Sequence, residues 1–238
     1  MNAYSVLASK YDTLMTDFDY DGYFEFIKKY LVGKVKGADM ASGSGELTMR
    51  LAKAGKKVVG IDISEEMLAA AMKKARDNAL NTVFLKQDIA AFELTGKVDF
   101  VTVCCDGVNY VKDIGSFFKR VHGALKDGGV FIFDISTEYK LTEVIANNVF
   151  YEDAPDFTYL WTNRLSDNKV DMNIVFFTRE GELYSRREES HRQYVRSTDD
   201  VIGSLNEADF SGVLTFDGES FKGVEHDSKR ALFIAFKK

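Results

Sequence analysis

The chain is short of the residues that staple or stiffen a fold. Its 238 residues hold two cysteines, one proline and one tryptophan. The cysteines, Cys104 and Cys105, are adjacent, which excludes a disulfide framework. No apolar run approaches the roughly 18 residues that span a bilayer. The opening "MNAYSVLASKYDTLM" lacks the basic-then-apolar layout of a secretory signal, so a cytoplasmic location without membrane attachment is expected. Basic charge is also in deficit. The net charge is −6, which disfavours a general nucleic-acid binder but leaves a local basic patch open. No internal repeat or low-complexity tract interrupts the chain, and no metal site is expected.

What is present is an alternation. Aromatics crowd the first 30 residues, and "YFEFIKKYL" has apolar residues at helical spacing, so residues 1–35 are expected to form a helical cap of two helices. Strand "KGADMA" precedes a helix over 45–55. Strand "KKVVGIDI" precedes a helix over 65–78, opened by Ser64 and the acidic first-turn pair Glu65 and Glu66. "TVFLKQDI" and "KVDFVTVCC" follow, then a helix over 114–126 and the strand "GGVFIFDI". Apolar strands alternating with amphipathic helices imply a parallel sheet covered on both faces.

Beyond Asp134 the texture changes. Within 148–196, strand-like segments are separated by the turn compositions "SDNK" and "REGE", which predicts an inserted antiparallel meander. A helix near 198–207, a strand near 212–217 and the strand "RALFIAFKK" then return to the sheet. The expected fold is α/β: a Rossmann-like core over 36–147 and 197–238, with seven mostly parallel strands, plus the insert as a lid or dimerisation subdomain.

Residues 37–55, "GADMASGSGELTMRLAKAG", read as a strand turning through glycines into a helix. Such a turn exposes unpaired N–H groups to a ligand provided side chains stay out of the way. The dinucleotide pattern G-x-G-x-x-G fits poorly: in one alignment it reads Ala41, Gly43, Glu46, in another Gly43, Gly45, Thr48. No Gly-Lys-Ser/Thr follows, so a phosphate-binding loop of the Walker type is absent. "VVGIDIS" does put Asp62 at the end of the next strand, where a carboxylate can accept hydrogen bonds from ribose hydroxyls. Asp88, in "KQDIAAF", stands at the end of the third strand.

With these residues in step, the chain resembles the class I S-adenosylmethionine-dependent methyltransferases over about residues 36–135. "DMASGSG" matches their acidic-x-Gly-x-Gly-x-Gly turn, with Ala41 in place of the first glycine. Asp62, Asp88, "VDFVTVCCDGVNYV" and "LKDGGVFIFD" follow in the family's order. The resemblance implies S-adenosylmethionine as cofactor. It implies Asp39 at the methionine end and Ala41, Ser42, Gly43 and Gly45 beneath methionine and ribose. Asp62 would hold the ribose, with Ile63 and Met67 packed on adenine or ribose. Gln87, Asp88 and Ile89 would frame adenine, and Cys105 would lie beside the methyl group. Tyr11, in a segment resembling the cofactor-covering start of small-molecule members, is the candidate to cover the sulfonium. Carboxylates and aromatic faces suit that cation.

The acceptor is less legible. Methyl transfer is an in-line displacement that positioning can accelerate without a dedicated base. The Asn/Asp-Pro-Pro-Tyr/Phe motif of base-amino methylation is missing from "CDGVNY", and the cysteines lack the preceding proline of cytosine-ring enzymes. A small-molecule acceptor is expected. A tRNA acceptor and a non-catalytic module that only binds the cofactor stay open, and the nicotinamide reading fits less well. Asp106, Tyr110 and His191 are the catalytic candidates. An arginine of the insert, such as Arg192, could bind an acidic group on the acceptor. The insert is also a candidate homodimer surface.

Overall fold

The computed structural model describes residues 18–238. Tyr11 and the first of the two expected N-terminal helices lie outside them. The second expected helix is α1 (Tyr20–Ile27), capped by the Asp19 carboxylate, which accepts from the Gly22 N–H at 2.8 Å. A tight 3₁₀ turn, Lys28–Leu31, carries it on.

Seven strands form the main sheet in the order β10-β11-β5-β4-β1-β2-β3. β1 (Lys36–Met40), β2 (Lys57–Asp62), β3 (Val83–Lys86), β4 (Val98–Val103) and β5 (Leu125–Ser136) run parallel. β11 (Arg230–Phe236) pairs antiparallel with β5, and β10 (Ser211–Asp217) antiparallel with β11. The connecting helices are α2 (Glu46–Lys53), α3 (Glu65–Asp77), α4 (Ile114–Ala124) and α5 (Thr198–Glu207). The first three differ from their expected bounds only at their ends, where helices fray, and α5 keeps its expected bounds.

The central strands are buried on both faces, as continuous apolar runs require. On one face Met40, Val101, Val103, Phe131, Phe133 and Phe233 pack against Phe117 and Phe118 of α4 and Val201 and Leu205 of α5. On the other, Phe100, Val130, Ile132 and Ile234 meet Tyr23 and Ile27 of α1 and Leu47 and Leu51 of α2. Chain order reverses at β1, which lies between β4 and β2. The carboxyl ends of β1 and β4 therefore border a crevice, the place where open α/β sheets hold ligands.

Between β5 and α5 the chain forms a second, four-stranded antiparallel sheet: β6 (Val149–Ala154), β7 (Phe157–Ser166), β8 (Lys169–Glu180) and β9 (Leu183–Tyr194). A wide π-type turn, Lys140–Ile145, leads into it, and its Leu141 and Ile145 pack on Val170 and Met172 of β8. The period of two along β9 buries Glu189, His191 and Gln193 and exposes Glu188, Ser190 and Arg192. No helix among the described residues is long and apolar enough to cross a membrane.

Candidate active site

Two strand ends build the site. At the end of β1 the chain turns through Ala41 (φ 51°), Gly43 (φ 52°) and Gly45 (φ 85°), all in the left-handed region. Glycine adopts that conformation freely, whereas for alanine it costs about 1–2 kcal/mol. Ala41 is tolerated because its neighbour across the crevice is Gly107. A Cβ built on Gly107 would stand 2.8 Å from the Ala41 Cβ and 2.8 Å from Val103 Cγ1. The methyl lost from one side of the crevice is present on the other.

Asp62, at the end of β2, fastens this turn from behind. One carboxylate oxygen accepts from the Gly43 N–H at 2.8 Å and the other from the Ser64 N–H at 2.9 Å. Burial pushes its carboxyl up, against the pull of those amides. Asp39 is 1% exposed. Its oxygens accept from Thr48 Oγ1 at 2.5 Å and Thr102 Oγ1 at 2.7 Å. Burial still raises the Asp39 carboxyl to about 6.

At the end of β4, Cys105 (φ 58°) and Asp106 (φ 53°) form a second left-handed turn. Both of their N–H groups donate to the buried Asp134 carboxylate, at 2.9 and 2.8 Å. Arg230, at the start of β11, donates from Nη1 to Asp134 and, at 3.1 Å, to Asp106. Charge-assisted bonds of this kind are each worth about 1.5–3 kcal/mol, enough to offset two left-handed residues. The Cys105 thiol donates to the Tyr20 hydroxyl at 3.4 Å. Tyr20, Asp39, Ala41, Ser42, Gly43, Leu47, Cys104 and Cys105 line one depression between the two turns.

The inserted sheet closes on the β4 turn. Gln193 Nε2 donates to Asp106 Oδ2 at 2.5 Å, and Asn109 Nδ2 donates to the Tyr194 carbonyl at 3.3 Å. Tyr110 Oη lies 3.5 Å from His191 Nδ1, and His191 Nε2 lies 3.5 Å from a Glu189 oxygen. Asp106, Tyr110 and His191, all singled out in the sequence, are thus drawn to one place.

Other sequence candidates divide. Ile63 is 55% exposed beside Asp62. Met67 is buried, and its N–H is spent on the Ser64 cap. Ile89 belongs to the hydrophobic core. Asp88 is exposed and caps the turn that follows it by accepting from the Ala90 N–H at 2.8 Å. Gln87 ties that loop shut through the backbone of Glu93. Arg192 pairs with Asp171 at 2.5 Å on the side of β9 opposite His191, so it does not face the β4 turn. Tyr20, Asp134, Gln193 and Arg230 escaped the sequence reading. For Asp134 and Arg230 the available signal was a charge at the end of an apolar strand, "FIFD" and "RALFIAF".

Two outcomes follow from this geometry. Replacing Arg230 with Met strands the Asp134 carboxylate and should cost about 3–5 kcal/mol in urea denaturation. A loss below about 1 kcal/mol would contradict the role given to the pair. Ala41→Gly should relieve the left-handed strain and raise stability by up to about 1 kcal/mol in the same assay. A decrease would show that the methyl is favourably packed.

Comparison with known proteins agrees with this architecture. Residues 38–129 match the methyltransferase-domain family. The chain is 36% identical over 198 residues to Bacillus subtilis (strain 168) YqeM, a protein named as a methyltransferase, covering 80% of this chain and 79% of that one. It is 31% identical to GWCH70_2453 of Geobacillus sp. (strain WCH70), also named as a methyltransferase, over 98% of this chain and 99% of that one. A solved S-adenosylmethionine-dependent methyltransferase from Clostridium acetobutylicum ATCC 824 superposes with a TM-score of 0.90 at 36% identity, covering 99% of both chains. The crevice, its two carboxylate-fastened turns and these relatives lead to one conclusion: the chain belongs to the class I S-adenosylmethionine-dependent methyltransferase family.

Proposed function

We propose that this methyltransferase acts on a small molecule, holding S-adenosylmethionine between the β1 and β4 turns and the acceptor against the inserted sheet. The observation that carries the donor side is the crevice itself. Ser42 Oγ is buried there with no hydrogen-bond partner. At Gly43 a Cβ would meet nothing within 4 Å. Exposed Ile63 stands beside Asp62. An unmet polar atom, open space over a glycine and an exposed apolar surface beside a carboxylate fit a nucleoside with a polar tail.

In this reading Asp62 accepts from the ribose hydroxyls with the lone pairs its amide bonds leave over, and Ile63 covers the adenine. Asp88, exposed at the end of β3, keeps a carboxylate oxygen for the adenine amine. Ile89 and Met67 support this surface from within and do not touch the ligand. Asp39 attracts the methionine ammonium, and the Ala41–Gly45 turn runs under the methionine. Cys105 and Tyr20 flank the methyl position. The bound cofactor supplies a methyl group on a cationic sulfur. The protein fixes the line of approach and excludes water, and Tyr110 with His191 provides a place for the acceptor's proton. The inserted sheet serves as the acceptor-side wall, and the acidic surface favours a small acceptor over nucleic acid.

Asp62→Ala should weaken S-adenosylhomocysteine binding by about 1–3 kcal/mol, roughly 5- to 150-fold in Kd by calorimetry. An unchanged Kd would overturn the ribose assignment. The Asp39 carboxyl, raised to about 6, adds a pH dependence. Its raised value means that ionisation costs the apo protein stability as pH climbs from 3.8 through 6. The ionised form is the one that attracts an ammonium. S-adenosylhomocysteine affinity should therefore rise between about pH 5 and pH 7, and Asp39→Asn should remove that rise. A flat profile in the unaltered protein would place the ammonium elsewhere.

A further inference from the structure

Cys104 and Cys105 are the chain's two cysteines, and both are free thiols. A bond between neighbours closes no loop and staples no fold, but it alters the place where it forms. Here that place is the donor crevice, because both residues line the depression between the two turns. Their sulfurs stand 3.6 Å apart. Along a strand, neighbouring side chains diverge to opposite faces. These two converge where the chain leaves β4, at the left-handed Cys105 (φ 58°) whose N–H the Asp134 carboxylate holds. Cys104 is 7% exposed, in the core cluster under α1, whereas Cys105 is half-buried.

A second feature lies beside the pair. Tyr23 of α1 is 1% exposed and belongs to the same cluster as Cys104. Its hydroxyl is buried with no hydrogen-bond partner, an arrangement that costs free energy. Burial, then the nearby Cys104, Asp134 and Cys105, pushes that hydroxyl up, so it keeps its proton and remains a donor. Burial pushes the Cys104 thiol up in the same way. An oxygen added to a sulfur of the pair is an acceptor of the kind this donor lacks.

We propose that Cys104 and Cys105 form a reversible oxidation site for hydroperoxides, and that the resulting disulfide weakens methyl-donor binding. The inference rests on the donor-site reading above. Cys105, the more accessible thiol, reacts first. Its sulfur attacks the peroxide, the O–O bond breaks and the leaving oxygen takes the thiol proton, so that hydrogen peroxide yields a sulfenic acid and water. The Cys104 sulfur then attacks the Cys105 sulfur. The S–S bond forms, the S–O bond breaks and the departing hydroxyl leaves as water with the Cys104 proton. Two electrons pass from the two thiols to the peroxide. Bringing the sulfurs into bonding contact shifts Cys105 Sγ, which now meets Tyr20 Oη at 3.4 Å. Adjacent Cα atoms stand about 3.8 Å apart, closer than the roughly 4.4–6.8 Å of ordinary disulfides, so the backbone at the turn has to twist. That turn is one wall of the depression, and a strained bond of this kind is readily reduced again.

With two cysteines in the chain, an intramolecular disulfide can only be this one. Intact-mass spectrometry of the full chain after hydrogen peroxide treatment should show a monomer that has lost two hydrogens and both thiols, and dithiothreitol should restore them. Calorimetry on the same samples should show the S-adenosylhomocysteine Kd raised at least tenfold by oxidation. Dithiothreitol should return it, although it leaves methionine sulfoxide in place. These readouts need only the unaltered chain. In Cys105→Ser, the Kd should be the same before and after peroxide. Thiols that survive, a product carrying only added oxygens, a dimer joined through sulfur or a disulfide that leaves the Kd unchanged would each overturn the inference while the donor reading stands. A Kd that stays peroxide-sensitive in Cys105→Ser would assign the loss to another residue and overturn it too. If the reduced, unaltered chain binds no S-adenosylhomocysteine, the donor reading falls and takes the inference with it.

Discussion

A single buried carboxylate, Asp134, sets the shape of the reactive end of this protein. Cys105 and Asp106 adopt a backbone conformation that non-glycine residues avoid, and their two N–H groups converge on Asp134. Without that anion, two partly buried donors and two strained residues would lack compensation. The anion is itself tolerable only because Arg230 arrives from β11. The antiparallel return of the chain beside β5 therefore does more than add a strand. It delivers the cation that lets an acid sit at zero exposure beside the crevice.

The β1 turn follows the same logic with a different acid. Asp62 accepts from Gly43 and Ser64, so one side chain shapes the glycine turn and begins the cap of α3. Each turn is thus held by a carboxylate from the neighbouring strand, and the crevice between them lies where β1 separates two halves of the sheet. The inserted sheet is tied to this frame through Gln193, Asn109 and Arg196, so it meets the crevice at the β4 turn.

Much of this was legible in the sequence. The alternation of apolar strands and amphipathic helices gave the main sheet, and "SDNK" and "REGE" marked the hairpins of the insert. Asp62 stood out because strand, spacing and residue type agreed. Other features depend on pairings that no local pattern carries. Ala41 departs from the family's glycine turn, and only the fold brings Gly107, on another strand end, opposite it. Asp134 and Arg230 lie in separate apolar strands, and only the antiparallel register makes them partners. The family resemblance implies Met67 and Ile89 as cofactor contacts, whereas helix and turn phase bury both side chains. Arg192 and His191 are adjacent in sequence, and the pleat sends them to opposite faces.

The central claim is that carboxylate-fastened turns at the ends of β1 and β4 hold the methyl donor between them. A crystal structure with S-adenosylhomocysteine tests it most directly. The account predicts ribose hydroxyls on the Asp62 carboxylate, adenine over Ile63 and the sulfur beside Cys105, with the Asp134–Arg230 pair intact. Density for the ligand anywhere outside that crevice, or a ribose turned away from Asp62, would contradict it.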